Sequence, residues 1–192
     1  DAILSDPKRS AIVDIIDIRY WHYKSDGTLY APEGGKNMAP RQHMRKMKVG
    51  KITFSEAYKA VHEYRTKYPQ KAVTFYAQNY PAMAWAIFMA GGSCPSIFVN
   101  DSMFLRDAAC MEVEETGTDF YKKMVKSDIG AIIYSQSGGD IPLKLSPGKY
   151  ILKYVNPSNG RIELINKSLK IKDIYNLKIP ENKEGIYWFH KI

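Results

Sequence analysis

The stretch that decides the fold class is Ile12-Val13-Asp14-Ile15-Ile16-Asp17-Ile18-Arg19-Tyr20-Trp21. It is nearly continuous in β-branched and aromatic residues, a composition typical of a strand that is buried on both faces of a parallel sheet. Its far end becomes polar and aromatic, through Arg19, Tyr20, Trp21, His22 and Tyr23. The pattern therefore predicts a parallel strand that ends in side chains able to contact a ligand.

Helical and strand-like segments alternate as far as residue 127. A helix is predicted to begin at Thr53 or Ser55, because Glu56 follows Thr53 at the spacing of a capping box. The other predicted elements are strands at Lys71–Ala77 and Ser96–Val99, an apolar helix at Ala82–Ala90, and helical stretches at Phe104–Val113 and Asp119–Val125. Such alternation predicts parallel βα units joined by right-handed crossovers.

The pattern changes after Asp128. Short strands are predicted at Ile129–Gln136, Ile141–Ser146, Lys149–Asn156, Ile162–Asn166, Tyr175–Ile179 and Ile186–His190, separated by turn residues. Asn159-Gly160 is a strong hairpin signal. The predicted fold class is therefore α/β plus all-β, with βα units in residues 1–127 and a small antiparallel β-sandwich in residues 128–192.

The formal net charge is +8, and residues 24–51 carry seven Lys or Arg against two acidic residues. A basic balance permits nucleic acid, anionic lipid or acidic polysaccharide as a partner and selects none of them. Two cysteines, Cys94 and Cys110, lack metal-motif spacing and are expected to be buried or half-buried thiols. No apolar run is long enough for a membrane span, and no motif points to a metal or cofactor.

Several motifs resemble bacterial, Bacteroides-type TIM-barrel glycoside hydrolases. The first is Asp6-Pro7 followed by the stretch from Val13 to Trp21, which is similar to a late barrel strand. Lys71-Ala72-Val73, then Trp85-Ala86 and Met89-Ala90-Gly91-Gly92-Ser93, is similar to the next strand and helix. In the tail, Ala131-Ile132-Ile133-Tyr134, Ser137-Gly138-Gly139 and Asn156-Pro157-Ser158-Asn159-Gly160 resemble the β-sandwich described in such proteins as a collagen-binding domain.

This resemblance implies that residues 1–127 are the C-terminal portion of a (β/α)8 barrel and that an N-terminal barrel segment is missing. It also implies a periplasmic, secreted or cell-surface location. Retaining enzymes of this class use two carboxylates about 5–5.5 Å apart, and the resemblance places one after the fourth strand and one after the seventh. The fourth strand is absent here, and Tyr76-Ala77-Gln78-Asn79-Tyr80 contains no carboxylate after the strand that would be the seventh. The chain alone is therefore expected to lack a complete catalytic pair and to be inactive.

The candidate binding residues follow the predicted barrel strands, because such sites lie at strand carboxyl ends. They are Arg19, Tyr20, Trp21 and His22 after the first strand, Arg41 and Gln42 in the long basic loop, and Gln78, Asn79 and Tyr80 after the second strand. Planar amides and aromatic rings suit sugar hydroxyls and faces. Each group also has a structural alternative. The residues after the first strand could pack under the loop, those in the basic loop could simply be solvated, and those after the second strand could form the turn before Pro81.

Two carboxylates are weak catalytic candidates. Asp17 lies inside an apolar strand, where pairing with Arg19 is the structural alternative. Asp101 follows the third predicted strand, where capping of the next helix is the alternative. In the sandwich, Trp188, Tyr187 and Tyr175 could stack on sugar, although core packing is the expected role.

The sequence thus favours the C-terminal part of a glycoside hydrolase that contributes substrate-binding loops. The expected partner is carbohydrate, with anionic polysaccharide as one candidate. The alternative is a non-catalytic glycan- or matrix-binding protein. A nucleic-acid binder is disfavoured because no recognised fold motif supports it. Open sheet edges and apolar faces predict that the chain is unstable alone or associates with the missing segment.

Overall fold

A computed structural model describes residues 3–18, 22–23, 29–30, 53–75 and 83–192, with the backbone alone given at 22–23 and 29–30. The chain divides into two compact units, Asp1–Ser96 and Ile97–Ile192. The fold is mixed and rich in strands, in several small sheets.

In the ranges that the structure describes, the first unit contains short strands and three helices. Its elements are α1 (Pro7–Ala11), β1 (Ile15–Ile18), β2 (His22–Tyr23), β3 (Leu29–Tyr30), α2 (Phe54–Lys67), β4 (Ala72–Phe75) and α3 (Ala84–Met89). The capping box predicted for α2 is confirmed. The Glu56 N–H donates to Thr53 Oγ1 at 3.2 Å, and the Thr53 N–H donates back to Glu56 Oε2 at 2.7 Å.

The parallel pairing predicted from the two apolar stretches is confirmed. β1 and β4 run parallel, with Ile16 opposite Val73 and Ile18 opposite Phe75. On its other edge, β4 meets the chain at Ser93, whose N–H donates to the Val73 carbonyl at 2.7 Å. The chain therefore returns beside β4 after α3, as a βα crossover requires. The third strand predicted at Ser96–Val99 is wrong, because residues 95–100 have no regular secondary structure.

The prediction that β1 is buried on both faces is also wrong. Ile18 is 2% exposed, whereas Ile15 on the opposite face is 61% exposed, and Asp17 beside it is exposed too. Burial alternates because α2 packs against β1 and β4 from one side. The side chains of Ala57, Val61 and Val73 are fully buried in this core.

The tight turn after α3 requires glycine at residue 92. A Cβ there would lie 2.6 Å from Ile87 Cγ2 and 3.0 Å from Val61 Cγ1. The Gly92 N–H also donates to the Ile87 carbonyl at 2.8 Å. Because the chain can turn this tightly after α3, the next residue, Ser93, already contacts β4.

The second unit combines one helix with eight strands. Its elements are α4 (Ser102–Cys110), β5 (Glu112–Glu114), β6 (Tyr121–Lys126), β7 (Gly130–Ser135), β8 (Gly139–Lys144), β9 (Gly148–Val155), β10 (Ile162–Ile171), β11 (Ile174–Ile179) and β12 (Gly185–Lys191). Six strands form one sheet in the order β10-β9-β12-β7-β6-β5, and β8 pairs with β11. All of these pairings are antiparallel.

The two sheets of this unit share one apolar core. Successive residues of each strand point to opposite faces. The residues that meet in the core include Ile133, Leu152, Tyr187 and Phe189 from the large sheet and Ile141, Leu143, Leu177 and Ile179 from the small one. This arrangement is a β-sandwich, so the antiparallel β structure predicted after residue 128 is confirmed strand by strand.

The helix predicted at Asp119–Val125 is wrong. Residues 121–126 form β6, in which Met124 lies opposite Ile132 of β7. Pairing along the sheet overrides the weak local helical pattern. Because β5 and β6 belong to the same sheet as β7, the sheet begins before the predicted boundary at residue 127.

The hairpin predicted at Asn159-Gly160 is confirmed. It joins β9 to β10, with Gly160 at a φ of 71°, a conformation that glycine adopts readily. The Asn159 side-chain oxygen accepts from the Arg161 N–H at 2.9 Å. A side chain at residue 160 would also clash with the Phe98 carbonyl, 2.5 Å from an added Cβ.

Candidate functional site

The carboxyl ends of β1 and β4 lie at one edge of the first unit's parallel sheet. Ile18, the last residue of β1, is opposite Phe75, the last residue of β4. The two strands therefore end at the same level of the sheet. In α/β folds, ligands bind outside the carboxyl ends of parallel strands. This edge is the candidate functional site.

The side chains that the sequence predicts for this edge are outside the described residues. They are Arg19, Tyr20, Trp21, Arg41, Gln42, Gln78, Asn79 and Tyr80. The backbone of His22 is described, in β2, where it pairs with Tyr30 of β3. The roles proposed for these residues remain predictions.

Asp17 is the described carboxylate nearest the end of β1. It is exposed, and its Oδ1 accepts a hydrogen bond from the Thr74 hydroxyl on β4 at 3.0 Å. Arg19, the partner predicted for it, lies outside the described residues. An exposed carboxylate held by a neighbouring hydroxyl can accept hydrogen bonds from a ligand. A lone carboxylate does not supply the pair that glycoside hydrolysis uses.

Asp101 caps a helix. Its Oδ1 accepts from the N–H groups of Met103 and Phe104, both at 2.9 Å, at the start of α4. These bonds satisfy two of the donors that a helix leaves unpaired at its first turn. The capping alternative for Asp101 is therefore confirmed.

The second unit contains a buried polar cluster that sequence reasoning missed. Asp107 on α4 is 5% exposed, and its Oδ2 accepts from the Trp188 indole N–H at 2.8 Å. The same oxygen lies 2.7 Å from His190 Nδ1. Two donors offset the free energy that burial of a carboxylate costs. The cluster thus fixes α4 to β12 and orients the imidazole.

One feature of the sequence signals this cluster. Phe104, Asp107 and Ala108 recur at helical spacing, so the carboxylate shares a face with buried apolar residues. An acid on such a face needs a buried donor. Phe104 confirms the shared face, since its ring packs edge-on against Trp188 with centroids 5.3 Å apart.

The aromatic residues considered for sugar stacking in the sandwich pack internally. Trp188 is fully buried and Tyr187 is 4% exposed, while the Tyr175 ring packs against Phe189 with centroids 5.7 Å apart. The Lys153 ammonium lies 4.1 Å from the centroid of the Trp188 ring. Their expected role in core packing is confirmed. Among the described residues, the Tyr187 hydroxyl has no hydrogen-bond partner.

Tyr134 is the most perturbed titratable group described. Its hydroxyl donates to Glu184 Oε1 at 2.5 Å. Burial first, then the hydrogen bond and negative charge of Glu184, raise the pKa of Tyr134 far above the usual value for tyrosine. The phenol therefore stays protonated at physiological pH and serves as a structural donor.

Within the described ranges, no three His, Cys, Asp or Glu side chains cluster closely enough to hold a metal ion. The expectation of buried thiols is wrong, because Cys94 and Cys110 are both exposed. Across the same ranges, no helix is long and apolar enough to cross a membrane.

The chain belongs to the family described as "Domain of unknown function (DUF6298)", whose model matches residues 1–111. The match covers the whole first unit, with the parallel β1–β4 pair, and extends through α4. No curated protein matches the sequence.

Three solved structures of glycoside hydrolases are similar to the chain. A glycoside hydrolase family 5 protein from Bacteroides vulgatus has 9% identity and a TM-score of 0.50, with 93% of this chain and 50% of that chain covered. A protein described as a glycoside hydrolase has 8% identity and a TM-score of 0.45, with coverages of 70% and 45%. A Paenibacillus polymyxa xyloglucanase of glycoside hydrolase family 44 has 10% identity and a TM-score of 0.37, with coverages of 67% and 33%.

The likeness to the family 5 structure concerns the fold. It extends over both compact units, because 93% of this chain is covered. The fold is therefore similar to that of glycoside hydrolases. The chain spans half or less of the length of these three solved proteins.

Proposed function

We propose that the chain is the C-terminal part of a carbohydrate-active protein related to glycoside hydrolases. In this proposal the first unit is the end of a TIM barrel, and the segments after β1 and β4 bind a polysaccharide. The observation that carries the proposal is the register of Ile18 opposite Phe75, which brings the carboxyl ends of both strands to one sheet edge. Those segments contain Trp21, Gln78 and Asn79, residue types that suit sugar faces and hydroxyls.

The chain contributes substrate binding without a complete catalytic pair. Asp17 is the carboxylate in β1 beside this edge, and residues 76–80 after β4 contain no acid. An amide cannot replace a carboxylate as nucleophile or base. The acid/base residue belongs to an N-terminal barrel segment of the natural protein, which the proposal places in the periplasm or outside the cell.

A non-catalytic glycan- or matrix-binding protein is the second candidate. The lack of an acid in the segment Tyr76-Ala77-Gln78-Asn79-Tyr80 favours it, because that segment follows the strand that would be the seventh in a barrel. In that case the same edge binds sugar, and no bond is broken.

The test begins with the mass of the native gene product, by antibody capture and intact mass spectrometry. A mass well above 21.9 kDa, about 36 kDa or more for a barrel of ~250 residues with its sandwich, is expected. A mass near 21.9 kDa would overturn the barrel and its hydrolase chemistry.

Affinity electrophoresis of the native product against neutral and anionic polysaccharides then measures binding, with Trp21→Ala and Gln78→Ala as variants. Each variant is expected to weaken binding severalfold. Ile174→Ala, at an exposed position on β11, is the control. An assay for reducing ends released from the polysaccharide by the wild type distinguishes a hydrolase from a non-catalytic binding protein. Wild-type affinity in both variants would rule out this edge as the binding site.

A further inference from the structure

Three loops meet at one end of the second unit. They are residues 115–120 between β5 and β6, 136–138 between β7 and β8, and 180–184 between β11 and β12. The Gln136 N–H donates to the Phe120 carbonyl at 2.9 Å, and the Asn182 N–H donates to the Ser137 carbonyl at 2.7 Å. These bonds join the loops into one surface, called here the three-loop end.

The loop that carries Phe120 is held by its own side chains. The Thr116 hydroxyl lies 2.9 Å from the Thr118 carbonyl and 3.0 Å from the Tyr121 carbonyl. The Phe120 N–H donates to Thr118 Oγ1 at 3.2 Å. The conformation of this loop is therefore set before any ligand arrives.

A buried lysine adds to this order. Lys122 is 8% exposed, and its ammonium donates to the Thr118 carbonyl at 2.7 Å and to Asp119 Oδ1 at 3.0 Å. A buried ammonium needs such partners, since desolvation of a charge is costly. The hydrogen bonds of Lys122 therefore stabilise the conformation of this loop.

The aromatic ring of Phe120 is exposed to solvent on this ordered loop. Phe120 is 66% exposed, although its own backbone N–H and carbonyl are both hydrogen-bonded. Because the loop is already ordered, binding of a ligand to this ring does not require the entropy cost of ordering the loop. Burial of the ring against an apolar surface would be favourable.

The charge around Phe120 restricts the ligand. Although the whole chain is basic, the three loops contain four carboxylates, from Glu115, Asp119, Glu181 and Glu184, against the ammonium of Lys183. The buried Lys122 ammonium pairs with Asp119, which leaves an excess of two negative charges. This excess disfavours the binding of uronates and sulfates. Carboxylate oxygens accept hydrogen bonds, so they suit a ligand rich in hydroxyl donors.

We propose that the three-loop end is a second glycan-binding site that takes neutral sugar units. The ring of Phe120 stacks on the apolar C–H face of a sugar ring, and Asp119, whose side chain is 75% exposed, accepts hydrogen bonds from sugar hydroxyls. This inference rests on the proposed function, and it adds a site that is distinct from the edge of β1 and β4.

The test uses the native full-length protein and a panel of soluble neutral polysaccharides. Phe120→Ala is expected to weaken affinity by roughly three- to tenfold, the range for loss of one aromatic stacking contact. Phe120→Tyr keeps the ring and is expected to bind like the wild type. Phe120→Leu keeps apolar bulk without the ring and is expected to bind as weakly as Phe120→Ala.

Ile174→Ala is the matched control, because Ile174 is 64% exposed at the opposite end of the β8–β11 pair. It is expected to leave binding unchanged. Thermal unfolding of each variant checks the fold, and the comparison of Phe120→Leu with Phe120→Tyr decides the outcome if Phe120→Ala proves unstable.

The outcomes separate this site from the proposed function. If the wild type binds a neutral polysaccharide and all Phe120 variants bind equally well, the second site is overturned while the proposed function stands. Binding to anionic polysaccharides alone, or Phe120-dependent binding to a matrix protein in place of sugar, would overturn the ligand class. A wild type that binds no polysaccharide would overturn both proposals.

Discussion

At the scale of single residues, Asp107 is a buried polar group whose removal should lower stability. Asp107→Ala leaves the Trp188 indole N–H and His190 without their buried acceptor. A loss of roughly 2–3 kcal/mol in the free energy of unfolding is expected. Asp107→Asn keeps one acceptor oxygen and should lose less. Denaturant unfolding measures both, with the exposed Asp173→Ala as control. Equal stability of Asp107→Ala and Asp173→Ala would contradict the role given to the cluster.

Tyr134 predicts how stability depends on alkaline pH. Burial, then Glu184, raises its pKa, and burial is the first cause of the raised pKa values of Tyr64, Tyr150, Tyr154 and Tyr187. Above about pH 10 the unfolded chain releases phenol protons that the folded chain still holds. Stability is therefore expected to be unaffected by these groups below that pH and to fall as the pH rises above it.

The variant Tyr134→Phe should reduce this alkaline loss, as measured by unfolding at a series of pH values. Glu184→Gln should lower the pKa of Tyr134 only in part, because burial is the larger cause. An absorbance titration of the phenolate follows that change. An alkaline slope identical in wild type and Tyr134→Phe would show that Tyr134 does not contribute.

At the scale of elements, the capping box at the start of α2 is expected to contribute measurably to stability. Thr53→Ala removes the acceptor for the Glu56 N–H and should destabilise the chain by about 1 kcal/mol. Thr66→Ala, an exposed change in the last turn of the same helix, is the control. Because Thr53 and Glu56 bond reciprocally, the double variant with Glu56→Ala should lose less than the sum of the single losses. Strict additivity in thermal unfolding would contradict this coupling.

The elements that could be predicted from sequence carry their signal locally. Thr53 and Glu56 form the capping box at the start of α2, and Asn159-Gly160 lies in the turn that joins β9 to β10. β6 could not be predicted, because its sequence, from Tyr121 to Lys126, includes three lysines and becomes a strand only through pairing with β7. The burial of β1 was overestimated for a related reason, since burial depends on which face of the strand the helices cover.

The same distinction applies to the candidate site. The edge after β1 and β4 follows from the order of strands and helices, so it could be predicted. The bond from Thr74 to Asp17 depends on the register of two strands far apart in sequence. The Asp107 cluster joins residues more than 80 positions apart, and only the helical spacing of its acid with Phe104 is visible in advance.

At the scale of the whole molecule, the open face of β1 predicts association. Ile12 is 81% exposed and Ile15 is 61% exposed, so apolar surface meets water beside the strand. The purified 192-residue chain is expected to self-associate as its concentration rises, in sedimentation experiments. Ile15→Ser should shift the equilibrium toward monomer, whereas Ile174→Ser, at a similarly exposed position, should not. A monomeric wild type with cooperative unfolding would contradict this prediction.

The position of β12 has a consequence for how the second unit is made. β12 follows every other strand in the chain, yet it lies between β9 and β7 in the sheet. The strands of the β6–β7 and β9–β10 pairs are all synthesised before Gly185–Lys191, so in a chain that lacks these last residues each pair keeps an unpaired edge. A ribosome that stops before residue 185 therefore releases a chain with two exposed strand edges, which is a target for proteases and a template for aggregation.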